Sequence, residues 1–310
     1  MTDMPQTRQS SLLTANLICM GSMLIWAAGL PAADHLIPLL IPEQLNALRM
    51  LLAGGFLVVV WALFEGFAPL RATNWLKGIA VGSLIGLGAW FLIKGQAIGG
   101  AVTAAVISST LPVVGIALEV ALDGRKVTLA LILGLILSLA GGVMALDLGA
   151  GGAGGGLSLA WGAFLCFGSV VSFTIGSRLT VTAFPKETPL GRTAVTLTGA
   201  AIAALIVAGG QVGLGGEMPS FAAWGWKEIG AILLFSVGAL GISQVMWIMS
   251  VERLGIGLSA LHINAAPFYV MLILFALGGL WNWPQAFAAA LVGLGVLIAQ
   301  GILPLPFGRR

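Results

Sequence analysis

The chain has 310 residues, 59% of them hydrophobic and 8% charged, with a net charge of +3 at pH 7. A mean hydropathy of +1.06 is more than a water-soluble core requires, so composition excludes an ordinary soluble domain and points to a bundle of membrane-spanning helices. The Lys and Arg residues are scattered between apolar runs with no basic tract, so no nucleic-acid partner is expected. Two isolated cysteines, Cys19 and Cys166, make neither a disulfide framework nor a metal site.

A short polar N-terminus leads into an apolar run, Leu12–Leu30, too long for a signal-peptide core, which reads as a retained first helix. Spans of about 20 residues separated by Pro, Gly and charged breaks then give an all-α integral membrane fold of ten transmembrane helices. The first five cover residues 12–33, 43–64, 74–94, 99–121 and 127–146. The next five cover 157–179, 189–209, 228–250, 256–279 and 284–303. Two five-helix halves, 1–148 and 157–310, flank a Gly-rich linker at 149–156.

Basic residues fix an orientation. With the N-terminus cytoplasmic, eleven of the 14 Lys and Arg fall inside, Lys94 and Lys227 fall outside, and Arg49 lies within a span. Both termini are therefore expected in the cytoplasm. Five spans per half is an odd number, so the halves are inverted relative to each other.

The sequence repeats accordingly. Ala104–Gly124, AAVISSTLPVVGIALEVALDG, aligns with Ser259–Gly279, SALHINAAPFYVMLILFALGG, with Pro112 on Pro267 at an offset of 155 (267 − 112). Pro42–Arg49 and Pro185–Arg192 share the spacing Pro-x6-Arg. Two proline-broken polar helices in matching halves point to a transporter's substrate site. The alternative is a pair of kinks between packed helices. Gly78, Gly82 and Gly86 form a doubled GxxxG, a close-packing face. Spacing alone leaves open whether it joins helices of one chain or of a homodimer.

With LIWAAG at Leu24–Gly29, PEQLNALRMLLAG from Pro42, and the Pro112 helix, the chain resembles the drug/metabolite transporter superfamily, and within it the EamA family of bacterial permeases. The resemblance implies a permease of the bacterial cytoplasmic membrane. It would move a small metabolite, commonly an amino acid or related compound, by alternating access, with export the expected direction. The family often carries a glutamate in the turns after the fourth and ninth spans. Here these turns read DGRK and GGLWNWPQ, without one.

Few residues can carry chemistry in such a chain. Pro112 and Pro267 lack an N–H, so each is expected to free the carbonyl four residues back, at Ser108 and Ile263, into a wet or protein-lined place. Ser108, Thr110, His262, Asn264 and Tyr269 lie beside these breaks. His262 is either a proton carrier or a neutral hydrogen-bonding side chain. Tyr269 shares its helical face, and Asn264 joins them only if Pro267 disturbs the helix. Arg49, about 10 Å into its span, is either an anchor for a carboxylate or phosphate, or part of an ion pair with Asp34 or Glu43 near the outer end. Lys94 and Glu119, at opposite ends, are gate candidates or interface anchors. Trp26, Trp90, Gln244 and Trp247 can line a pocket or pack against lipid.

The leading reading is a transporter whose partners are a small-molecule substrate and the bilayer, with no cofactor. The runner-up is a nucleotide-sugar or organophosphate exchanger, which needs paired cations at mid-depth. An integral-membrane enzyme needs converging carboxylates or a His cluster, and only two histidines exist, 227 residues apart (262 − 35). A receptor or scaffold needs an output domain, and the spans leave no room for one.

Overall fold

A computed structural model describes residues 6–108, 110–145, 157–276, 278, 280, 281 and 283–303. Among these residues the secondary structure is entirely helical. The first half holds α1 (Gln6–Leu36), α2 (Pro42–Glu65), a short α3 (Phe67–Ala72), α4 (Trp75–Ser108), α5 (Leu111–Asp123) and α6 (Leu129–Ala145). The second holds α7 (Leu157–Thr182), α8 (Pro189–Gly213), α9 (Trp226–Leu233), a π-helical stretch Leu234–Ile242 and α10 (Ser243–Leu254). It continues with α11 (Ile256–Ala260), a 3-10 turn Leu261–Ala265, α12 (Ala266–Ala276) and α13 (Trp283–Ala299). Six helical stretches are long and apolar enough to cross a membrane, with shorter apolar helices beside them. The linker at 149–156 lies outside the described residues.

Local chemistry sets the helix ends. Pro42 and Pro189 open α2 and α8 in the first turn, where a missing N–H breaks no helical bond. The Thr188 hydroxyl accepts the Gly191 N–H at 3.0 Å and caps α8. Gly124, at φ +64°, closes α5 in the left-handed conformation that costs glycine least. Gly255, at φ +82°, lets the chain turn from α10 straight into α11.

The break expected at Lys94–Gly100 is corrected. That stretch is helical, and the first interruption comes between Ser108 and Leu111. A backbone in lipid must satisfy its own N–H groups, and this segment has no proline to break the helix. The chain nevertheless passes α7 twice. On the first pass Lys77 donates to the Ala183 carbonyl, and Gly95 lies against Gly162 and Cys166. On the return Ile107 and Leu111 pack with Val170, and Asp123 pairs with Arg178. The expected third span and the start of the fourth lie within one helical run that carries Gly99 and Gly100.

Helices of one half pack on helices of the other. Gly54 of α2 meets Leu197 of α8, and Trp61 covers Gly191. Ser22 of α1 donates to the Ser243 carbonyl of α10 at 2.8 Å. Gly115 of α5 lies on Gly257 of α11, and Gly134 of α6 on Gly295 of α13. The GxxxG stripe belongs to one chain: a Cβ on Gly82 would come 2.1 Å from the Thr196 carbonyl of α8. Gly241, which follows Gly86 by the repeat offset of 155 (241 − 86), has no such neighbour; a Cβ there would find nothing nearer than 3.7 Å.

Candidate functional site

The second-half helix is interrupted ahead of its proline. The chain tightens into the 3-10 turn Leu261–Ala265, and Pro267 becomes the second residue of α12. Ser138 of α6 repairs the loosened backbone: its hydroxyl donates to the Leu261 carbonyl at 3.2 Å and accepts from Asn264 Nδ2 at 3.0 Å. Three buried polar atoms here have no partner: Ser259 Oγ, His262 Nδ1 and Asn264 Oδ1. A 3-10 turn rotates about 120° per residue, so His262 and Asn264 diverge by about 240°. Asn264 faces α6. Tyr269 packs among Cys19, Met23 and Trp247.

The first-half break is similar in placement. Pro112 is buried as the second residue of α5, so both prolines restart a helix and neither kinks a continuous one. The recaptured carbonyl is that of Ile107, which accepts the Thr110 hydroxyl at 2.6 Å and the Thr110 N–H at 3.0 Å. Ser108 is the last residue of α4 and is half-buried.

A second cluster lies where α2 begins. Lys94 pairs with Glu43 at 2.7 Å, and the Trp90 indole donates to the same carboxylate oxygen at 3.3 Å. One turn along α2, Asn46 is buried with Oδ1 unpartnered, while its Nδ2 reaches the Gly86 carbonyl at 3.4 Å. Arg49 follows, 9% exposed, its guanidinium 4.0 Å above the ring of Phe235 in the π-helical stretch. Its Nε has no partner among the described residues and Glu43 pairs with Lys94 instead; of the two ion-pair partners named from the sequence, the Asp34 side chain lies outside the described residues. Sequence reasoning named Trp90, Lys94 and Arg49 as site residues but left out Glu43 and Asn46. Their spacing of three along one helix face was the available signal.

Other named residues divide. Gln244 is buried with Nε2 unpartnered. Trp247 is 2% exposed, and its indole donates to Ser177 at 3.2 Å. Trp26 is half-buried on α1. At the opposite end of the bundle Glu119 is buried, pairs with Arg125, and accepts the Gly257 N–H at 3.0 Å. Thus Lys94 and Glu119 each hold an ion pair, at opposite ends. Among the described residues no three His, Cys, Asp or Glu side chains gather as a metal site would require.

Residues 13–146 match the model of the EamA-like transporter family. That stretch, somewhat less than half of the chain, is similar to the family. That match and the six membrane-length helices among the described residues together support a multi-pass membrane transporter of the drug/metabolite type. A solved crystal structure of a protein 23% identical in sequence superposes with a TM-score of 0.74, over 92% of this chain and 96% of its own. That likeness concerns the fold. No curated protein matched the sequence.

Proposed function

We propose that the protein carries a small metabolite, of the amino-acid-related class, out of the bacterial cytoplasm by alternating access. The observation that carries this reading is the interrupted helix at 256–276. It holds three partnerless polar atoms, from Ser259, His262 and Asn264, buried where the second half meets α6 of the first. Polar atoms at depth without partners cost several kcal/mol in hydrocarbon unless water or a solute reaches them.

The packing pattern supports ten spans in two inverted repeats. Counting α4 as two passes, the pairings α2–α8, α5–α11 and α6–α13 each join one expected span to its repeat mate. Two further pairings, α1 with α10 and the first pass of α4 with α7, exchange when the halves are exchanged, as do α4 with α8 and the π-helical stretch with α2. Polar side-chain contacts bridge the halves at both ends: His35 with Glu228 at 2.9 Å where α2 begins, and the Asp123–Arg178 ion pair where it finishes. The basic-residue bias places the second end in the cytoplasm, with both termini.

His262 meets no acidic side chain among the described residues, so it acts as a neutral hydrogen-bonding group and the solute gradient drives transport. The test is transport in proteoliposomes of amino acids and analogues first selected by a growth-resistance screen in over-expressing cells. His262→Gln should retain much of the rate, and the wild-type rate should ignore an imposed pH gradient. A rate that follows the gradient and is lost in the glutamine variant, while exchange persists, would assign the proton to His262 instead.

A further inference from the structure

Two arginines in this chain are related by the repeat, and both are buried. Arg192, 4% exposed, is fully engaged: Nε and Nη2 donate to the Glu187 carbonyl at 3.2 and 2.8 Å, and Nη2 also reaches Glu252 at 3.1 Å. Arg49, 9% exposed, has no ion pair and no hydrogen bond at Nε among the described residues. Its one described contact is the Phe235 face, which holds the guanidinium plane but supplies no counter-charge. The candidate counter-ion on the same helix, Glu43, is already held by Lys94 and Trp90. A charge so deep in a membrane protein is retained only if something neutralises it.

We propose that Arg49 anchors a binding site for a small organic monoanion, whose carboxylate supplies the missing counter-charge. The proposal rests on the transporter reading for its biological sense, but binding can be measured without transport. The guanidinium edge bearing Nε suits a carboxylate gripped by two parallel N–H donors. Asn46 Oδ1, one turn away and buried without a partner, accepts an N–H or O–H from the same solute. Leu48, Leu52 and Phe235 make the surroundings apolar. Among the described residues the site holds one uncommitted cation. A phosphate dianion would leave a charge unmatched, so the ligand class is a carboxylate with a compact, partly apolar body.

The test uses thermal unfolding of the detergent-purified protein. Wild type, Arg49→Met and Arg192→Met are compared alone and with acetate, propionate or benzoate, the matching amides, or inorganic phosphate at pH 8, all at equal ionic strength. Without ligand, Arg49→Met should raise Tm by about 2–4 °C because it removes an uncompensated buried charge, and Arg192→Met should lower it. At least one carboxylate should raise the wild-type Tm, its amide should not, and Arg49→Met should abolish the shift. A fall in Tm for Arg49→Met overturns the proposal. So does a panel without effect, equal shifts in wild type and variant, equal shifts by amides, or a larger shift by phosphate. Carboxylate binding that persists in a protein without transport would refute the transporter reading and leave this site standing. Transport that survives Arg49→Met unchanged would do the reverse.

Discussion

Glu119 carries a charge 5% exposed inside an apolar bundle, and its surroundings account for it. One oxygen accepts the Gly257 N–H from the other half, and the other pairs with Arg125. Removing the carboxylate strands both donors. Glu119→Ala is therefore expected to destabilise the protein by about 1–3 kcal/mol. Thermal unfolding in detergent checks it. The loss should exceed that of Glu217→Ala, an acidic residue in the α8–α9 connection that makes no ion pair. Equal losses would mean the contacts contribute nothing. From the sequence, Glu119 was legible as an intramembrane carboxylate but not as a tie between halves. Its partners, Arg125 and Gly257, lie six residues away and on the far side of the linker, and only folding brings them together. Arg49 shows the opposite case. Its depth was readable by counting from Pro42, but the absence of a counter-ion depends on Glu43 pairing with Lys94, a contact between two helices.

At the scale of elements, small residues set helix spacing. A side chain at Gly82 meets backbone atoms of α8 at 2.1 and 2.6 Å, which cannot move as a flexible side chain would. Gly82→Val should force α4 off α8 and cost more than the 1–3 kcal/mol typical of overpacking, about 3 kcal/mol or above. Gly55→Val, on the same bundle but with open space around it, should leave the yield of folded, monodisperse protein nearly unchanged. Size-exclusion profiles of the two variants decide the matter, and matching profiles would remove the close-packing account. The stripe was visible as a doubled GxxxG, and its partner helix was not. Helix interruptions were legible from Pro112 and Pro267, yet each falls a few residues earlier than the proline itself. A proline is tolerated in the first turn of a new helix, so the strain moves to Ser108–Leu111 and to Leu261–Ala265. The nine-residue π-helical stretch under Arg49 left no mark that hydropathy could reveal, because its composition is that of any apolar helix.

At the scale of the molecule, the two halves are tied at one end by the His35–Glu228 contact and at the other by the Asp123–Arg178 ion pair, and they meet between those ends at the interrupted helix. Orientation comes from the Lys and Arg bias alone, and labelling single cysteines in the 149–156 linker tests it. They should react with a membrane-impermeant reagent from outside intact cells, and reaction only after permeabilisation would reverse the assignment. Alternating access makes a sharper demand on the same architecture. In a background with Cys19 and Cys166 replaced by alanine, the His262→Cys variant is combined with one of two cross-links in proteoliposomes. One joins cysteines at positions 35 and 228; the other joins cysteines at 123 and 178. The account predicts that with the 35–228 end locked, the thiol at 262 reacts only from the side of Asp123. With the 123–178 end locked, it should react only from the side of His35. A thiol that reacts from the same side under both locks, or from neither side under either, would contradict a path between the halves.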